Sequence, residues 1–174
     1  MLDVVVGIDV GTQGVRVLAV DPTGQLIASA HQAFTPGAGN LPPGWLEQSP
    51  HEWWQAAKNS CASLLAALPA GTHISGLCLD STSGTILPID ASGNPLHPAV
   101  MYNDRRSESQ VLEVQSAAAD HQRKLGYVFG SSFALPKILW FKNERPQIFD
   151  RARRFLHAAD FLVGHFTGRF DISD

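Results

Sequence analysis

At 174 residues, 44% of them apolar, the chain is long enough to bury one ordinary core. Its formal net charge of -3, with no polybasic cluster, gives no footprint for nucleic acid or for an anionic membrane surface. No apolar run reaches membrane-spanning length, so a spanning helix is not expected.

The opening residues Met1 to Gly7 lack the basic start of a signal peptide and read as a strand. Two cysteines, Cys61 and Cys78, fit a reduced cytoplasmic protein with buried thiols better than a disulfide framework. Seven histidines show no H-x-H or H-x-x-x-H spacing, so a zinc site is not expected, and they read as surface or core residues.

Leu2 to Ile8 is a β-branched run that predicts a buried strand. The bend Asp9-Val10-Gly11-Thr12-Gln13-Gly14 leads into a second strand, Val15 to Val20. Asp21-Pro22-Thr23-Gly24 is a turn signal, and Gln25 to Ala30 completes an antiparallel meander. Phe34 to Trp45 holds three prolines and three glycines and reads as a loop. Ser49 as N-cap, Pro50 in the first turn and Glu52 closing a capping box then announce a helix. Its apolar stripe is Trp53, Ala57, Cys61, Leu64 and Leu68. Ile74 to Leu79 and Thr85 to Ile89 read as strands, and helices are expected over residues 105–118, 136–144 and 159–166. Strands, a helix and further strands make a mixed α/β pattern.

The bend after the first strand carries the sharpest chemistry. Glycines there let backbone amides approach an anion, and Asp9 at a strand end suits a hydrated magnesium ion. Thr12 and Gln13 offer donors to a phosphoryl group, while Arg16 adds charge or braces Asp9. A Rossmann loop would feed a helix and a P-loop would need Gly-Lys-Ser/Thr, so neither applies. On these residues alone an ordinary hairpin turn remains open. Asp80-Ser81-Thr82-Ser83 likewise suits a polyol, with a strand-end Asx turn as the simpler alternative. Asp104 and Arg105 before a helix have an N-cap and a solvated base as their plain reading.

Gly7-Ile8-Asp9-Val10-Gly11-Thr12, flanked by strands, resembles the first phosphate segment of actin-like ATPases. Four further segments resemble the FGGY carbohydrate kinases, in that family's order. They are Gly44-Trp45-Leu46-Glu47-Gln48-Ser49-Pro50 with Trp53-Trp54, Tyr102-Asn103-Asp104-Arg105-Arg106, Lys137 to Glu144, and Asp160-Phe161-Leu162 with Thr167-Gly168. Tyr102 stands where a Trp is usual, and Ala134 where Ser, Thr or Pro is. The resemblance implies an RNase H-like, actin-type α/β domain whose full-length parent transfers phosphate from ATP, with Mg2+, to a ketopentose. Asp80 to Ser83 look more like ribulokinases than like xylulokinases, which carry G-Q-x-H-G there, so ribulose is expected ahead of xylulose. Asp9 would organise the metal, and Gly11, Thr12, Gln13 and Arg16 would meet phosphate. Asp80, Ser81, Thr82, Ser83, Asp104 and Arg105 would lie on the sugar side. Lys137 and Trp140 are expected to be architectural.

The resemblance also places the general base and most nucleotide contacts beyond Asp174. The chain is therefore expected to be an incomplete N-terminal lobe, inactive alone, whose partners are the sugar, ATP and the rest of the kinase, with a homodimer left open. A kinase of glycerol or another polyol, and a non-catalytic binding module, are the rival readings.

Overall fold

Alternation along the first two strands decides which face of the sheet is covered. Val4, Val6, Ile8 and Val10 are buried, as are Val15, Val17 and Ala19, while the residues between them face the other way. The computed structural model describes residues 2–35 and 40–171. In chain order the elements are β1 (Asp3–Val10), β2 (Gly14–Val20), β3 (Leu26–Ala33), β4 (Glu47–Gln48), α1 (Pro50–Ala67), β5 (His73–Ser81), β6 (Leu87–Ile89), β7 (Ala99–Val100), α2 (Glu108–Ala117), α3 (Ala119–Leu125), α4 (Ala134–Glu144), α5 (Pro146–Arg151), β8 (Arg154–Leu156) and α6 (Ala158–Thr167). No helix among them is long and apolar enough to cross a membrane.

The chain divides into two compact units. The first comprises Met1–Pro36, His51–Thr82 and Ala158–Asp174. Its sheet has the order β3-β2-β1-β5, antiparallel through the meander and parallel between β1 and β5. That is the expected mixed sheet. The third strand runs on past the predicted Ala30 to Ala33, because β3 stays paired to β2 as far as Gly14↔Ala33.

On the covered face, Asn59 of α1 donates to the Gln32 side chain of β3 at 2.9 Å. The first turn of α6 is held by the Ser81 hydroxyl, which accepts the Ala159 amide at 3.0 Å. Trp53, Ala57 and Leu64 of the predicted α1 stripe are buried, and Trp53 meets Phe161 of α6 edge-on at 6.4 Å. Each such large side chain contributes about 1.5–3 kcal/mol of burial. Glu52 Oε1 accepts the Thr35 amide at 2.6 Å. One expectation fails locally. Cys78 is exposed, because it pairs in register with Gly7, which has no side chain to cover it. Cys61 is half-buried, and burial pushes its thiol up.

The second unit, Gly37–Pro50 and Ser83–His157, carries the short pairs β4-β7 and β6-β8 with helices α2 to α5. The expected loop over residues 34–45 lies partly outside the described residues. In place of the single predicted helix over 105–118 there is α2 followed at once by α3. Helix α5 and strands β4, β7 and β8 were not anticipated.

Candidate functional site

In the first unit the open face of the sheet ends in a row of polar side chains. Register places His31 opposite Arg16, Arg16 opposite Asp9, and Asp9 opposite Asp80, across all four strands. These positions lie at the carboxyl ends of β1 and β5, where parallel strands of open sheets present ligand sites. A cavity of about 470 Å³ opens at this end. The bend lines it with Gly11, Thr12, Gln13 and Gly14, and the strands add Asp9, Arg16, His31 and Ala33. Thr82, just past β5, completes the lining.

The bend is closed by its own backbone. The Gly11 amide donates to the Gly14 carbonyl at 3.0 Å, and the Gln13 carbonyl accepts the Phe34 amide at 2.9 Å. Gly11 therefore lines the cavity with its amide already bonded, so the structure does not leave it the donor part expected of it. A Cβ at Gly11 would meet only the Gly14 carbonyl oxygen, at 3.7 Å, so the fold does not itself demand glycine there. Gly14 is the reverse: a Cβ would run into the Gln32 carbonyl and stand 2.9 Å from Ala33 Cα. One glycine serves the sheet; the other keeps the cavity wall low.

Arg16 Nη1 stands 3.9 Å from Asp9 Oδ2, with the side chains 76% and 50% exposed. That is a loose, solvated pair, beyond hydrogen-bond distance, so both groups keep their capacity for a ligand. A half-exposed carboxylate beside backbone and hydroxyl oxygens suits a hard cation kept partly hydrated. The residues present fit a magnesium-bound polyphosphate, offering a carboxylate suited to the metal and hydroxyl, amide and guanidinium donors suited to phosphate.

The residues expected on the sugar side divide. Asp80 is exposed and accepts the Ser81 amide at 2.8 Å, the local turn that was its simpler reading. Ser81 gives its hydroxyl oxygen to α6, as above. Thr82 donates its amide to the Val10 carbonyl at 3.3 Å and faces the cavity.

In the second unit Ser83 and Arg105 are exposed, and Arg105 pairs with Glu108 at 2.6 Å. Asp104 corrects the expectation. It is 0% exposed, its two oxygens accept from Arg106 Nε and Nη2 at 2.9 and 2.8 Å, and the Leu46 amide reaches it at 2.5 Å. A carboxylate so occupied holds the unit together and has no lone pair to spare for a sugar. Arg106, which sequence reasoning passed over for Arg105, also donates to Glu47 at 2.8 Å and lies 4.0 Å from the Trp45 ring centroid. Lys137 and Trp140 are buried, as the architectural reading had it.

A profile of the FGGY family of carbohydrate kinases, N-terminal domain, matches residues 4–174. The chain belongs to that family. Among curated relatives of this FGGY chain, the xylulose kinase of Staphylococcus epidermidis is 30% identical over 161 residues, covering 92% of this chain and 32% of the relative. That of Escherichia coli is 28% identical over 179 residues, covering 97% and 35%. A solved structure of a Brucella ovis xyloylose (xylulose) kinase superposes with a TM-score of 0.83 at 29% identity, covering 91% of this chain and 33% of that one. The FGGY chain thus spans about a third of the length of the relatives it matches, and its mixed sheet is the actin-type fold. The ribulose preference drawn from Asp80 to Ser83 finds no support among relatives named xylulose kinases.

Proposed function

We propose that the full-length protein containing this FGGY domain transfers the terminal phosphate of ATP to a ketopentose, D-xylulose ahead of D-ribulose. The observation that carries the reading is the cavity at the β1–β2 bend, where Asp9, Thr12, Gln13 and Arg16 converge. Magnesium, when bound, would supply positive charge to offset the charge that develops during transfer. Asp9 is the side chain to hold it through water. Thr12 and Gln13 orient the transferred group, and Arg16 offsets its charge without first having to break a tight ion pair. Asp80 and Thr82 are the first unit's substrate-side residues; the resemblance alone carries Ser83 and Arg105. This chain is the N-terminal lobe in that reading, with the general base and the nucleotide's base pocket supplied by the rest of the protein.

A coupled ATP-consumption assay on the full-length protein with D-xylulose, D-ribulose and glycerol tests this. D-xylulose is expected to give the highest kcat/KM. Glycerol turned over faster than both pentuloses would reassign the substrate, and no sugar-dependent ATP consumption at all would favour a binding module.

A further inference from the structure

We propose that His31 is a further polyphosphate contact, an imidazole donor on the β3 side of the cavity. The inference rests on the kinase reading and adds a residue to it. His31 sits in register with Arg16 on the open face of the sheet, and its residue lines the same cavity as Asp9, Thr12 and Gln13. The other exposed strand histidine of this unit, His73, spends its ring on Asp3 at 2.9 Å. Among the described residues no ion pair or side-chain hydrogen bond is made by the His31 ring, so it is available to a ligand.

The need for such a donor follows from the bend. The Gly11 amide is taken by the Gly14 carbonyl, so this bend presents fewer backbone donors than a glycine-rich anion nest. A ring N–H on the neighbouring strand supplies one, whichever nitrogen carries the proton. The charged groups facing it from the adjoining strands are Arg16, Asp9 and Asp80, in that order across the sheet. Arg16 stands between the imidazole and both carboxylates, so an anion bound at His31 is nearer the cation than the acids. The plain alternative is that His31 is a polar guard on an edge strand, since β3 ends the sheet.

Titration calorimetry on the full-length protein separates these, with magnesium tripolyphosphate as probe and D-xylulose as the control ligand. His31→Ala is expected to weaken tripolyphosphate binding roughly tenfold, the size of one hydrogen bond to a charged group. Its sugar affinity should stay within about twofold and its Tm close to wild type, as for other exposed sites. His31→Gln, which keeps an N–H donor, should recover most of the loss. If wild type binds tripolyphosphate, Arg16→Ala weakens it and His31→Ala does not, the edge-guard role holds and only this inference fails. Should wild type bind neither tripolyphosphate nor ATP, the kinase reading fails with it. A His31→Ala loss matched by equal losses in sugar affinity and Tm would show a structural role and overturn the proposal.

Discussion

Adjacent residues in the second unit divide sharply in what they do. Asp104 and Arg106 point inward and hold each other, with Glu47 and Trp45 around the guanidinium, while Arg105 between them lies at the surface. Breaking one side of a buried pair leaves the other charge uncompensated, at a cost of about 3–5 kcal/mol. Asp104→Asn is expected to fall in that range by urea denaturation, and Arg105→Ala to stay within about 0.5 kcal/mol of wild type. Lys137 offers a second residue-scale test. Its ammonium is fully buried and donates to the carbonyls of Ser131, Tyr102 and Phe133 at 2.5, 3.4 and 3.4 Å. Lys137→Met would leave those acceptors unmet at a cost of about 2–4 kcal/mol. Burial pushes the Lys137 pKa down from 10.5 to about 8, with the Asp104 carboxylate pulling the other way. Between these values the unfolded chain binds the extra proton, so stability rises with pH. Relative to Lys137→Met, wild type should therefore gain stability from about pH 8 to about 10.5 and show a flat difference below pH 8, by denaturation at several pH values.

At the scale of elements, the first hairpin uses its two glycines for different ends. Gly14→Ala must push a Cβ into the backbone of β3, so it should destabilise the protein by about 2 kcal/mol or more. Gly11→Ala has room and should fold with a nearly unchanged Tm, yet weaken magnesium tripolyphosphate binding. Equal thermal shifts for the two variants would mean that Gly11 serves the turn alone.

Which elements the sequence revealed follows from their physics. The meander and α1 were legible because alternation and a helical stripe each span several residues, and Pro50 marks the start of α1. Helix α3 buries nothing, so it has no apolar stripe to read. Strands β4 and β7 have two residues each, too few for a period. The lost end of β3 had a consequence: stopping the strand at Ala30 left His31 out of the row it shares with Arg16 and Asp9. Arg106 was hidden for another reason. In Asp104-Arg105-Arg106 both arginines carry the same charge, and the packing of Trp45 and Trp140 with the carboxylates of Asp104 and Glu47 holds the second one inward.

Across the whole chain the motif segments fall in both units, and the one from Gly44 to Trp54 runs from the second into the first. The glycine-containing bend and Thr82 lie in the first, beside a sheet face whose far end stays apolar, with Val5 49% and Leu18 41% exposed. The signature segments around Trp45, Asp104 and Lys137 lie in the second and meet as one buried network. Segments that identify the family can thus hold architecture. The central claim is that Asp9 organises the metal of a bound nucleotide, and Asp9→Ala in the full-length protein tests it most directly. Magnesium-dependent turnover with D-xylulose should fall by about a thousandfold or more, on the scale of losing a principal charge-stabilising group, while sugar affinity by calorimetry stays within about twofold. An Asp9→Ala protein that turns over at the wild-type rate would contradict the account.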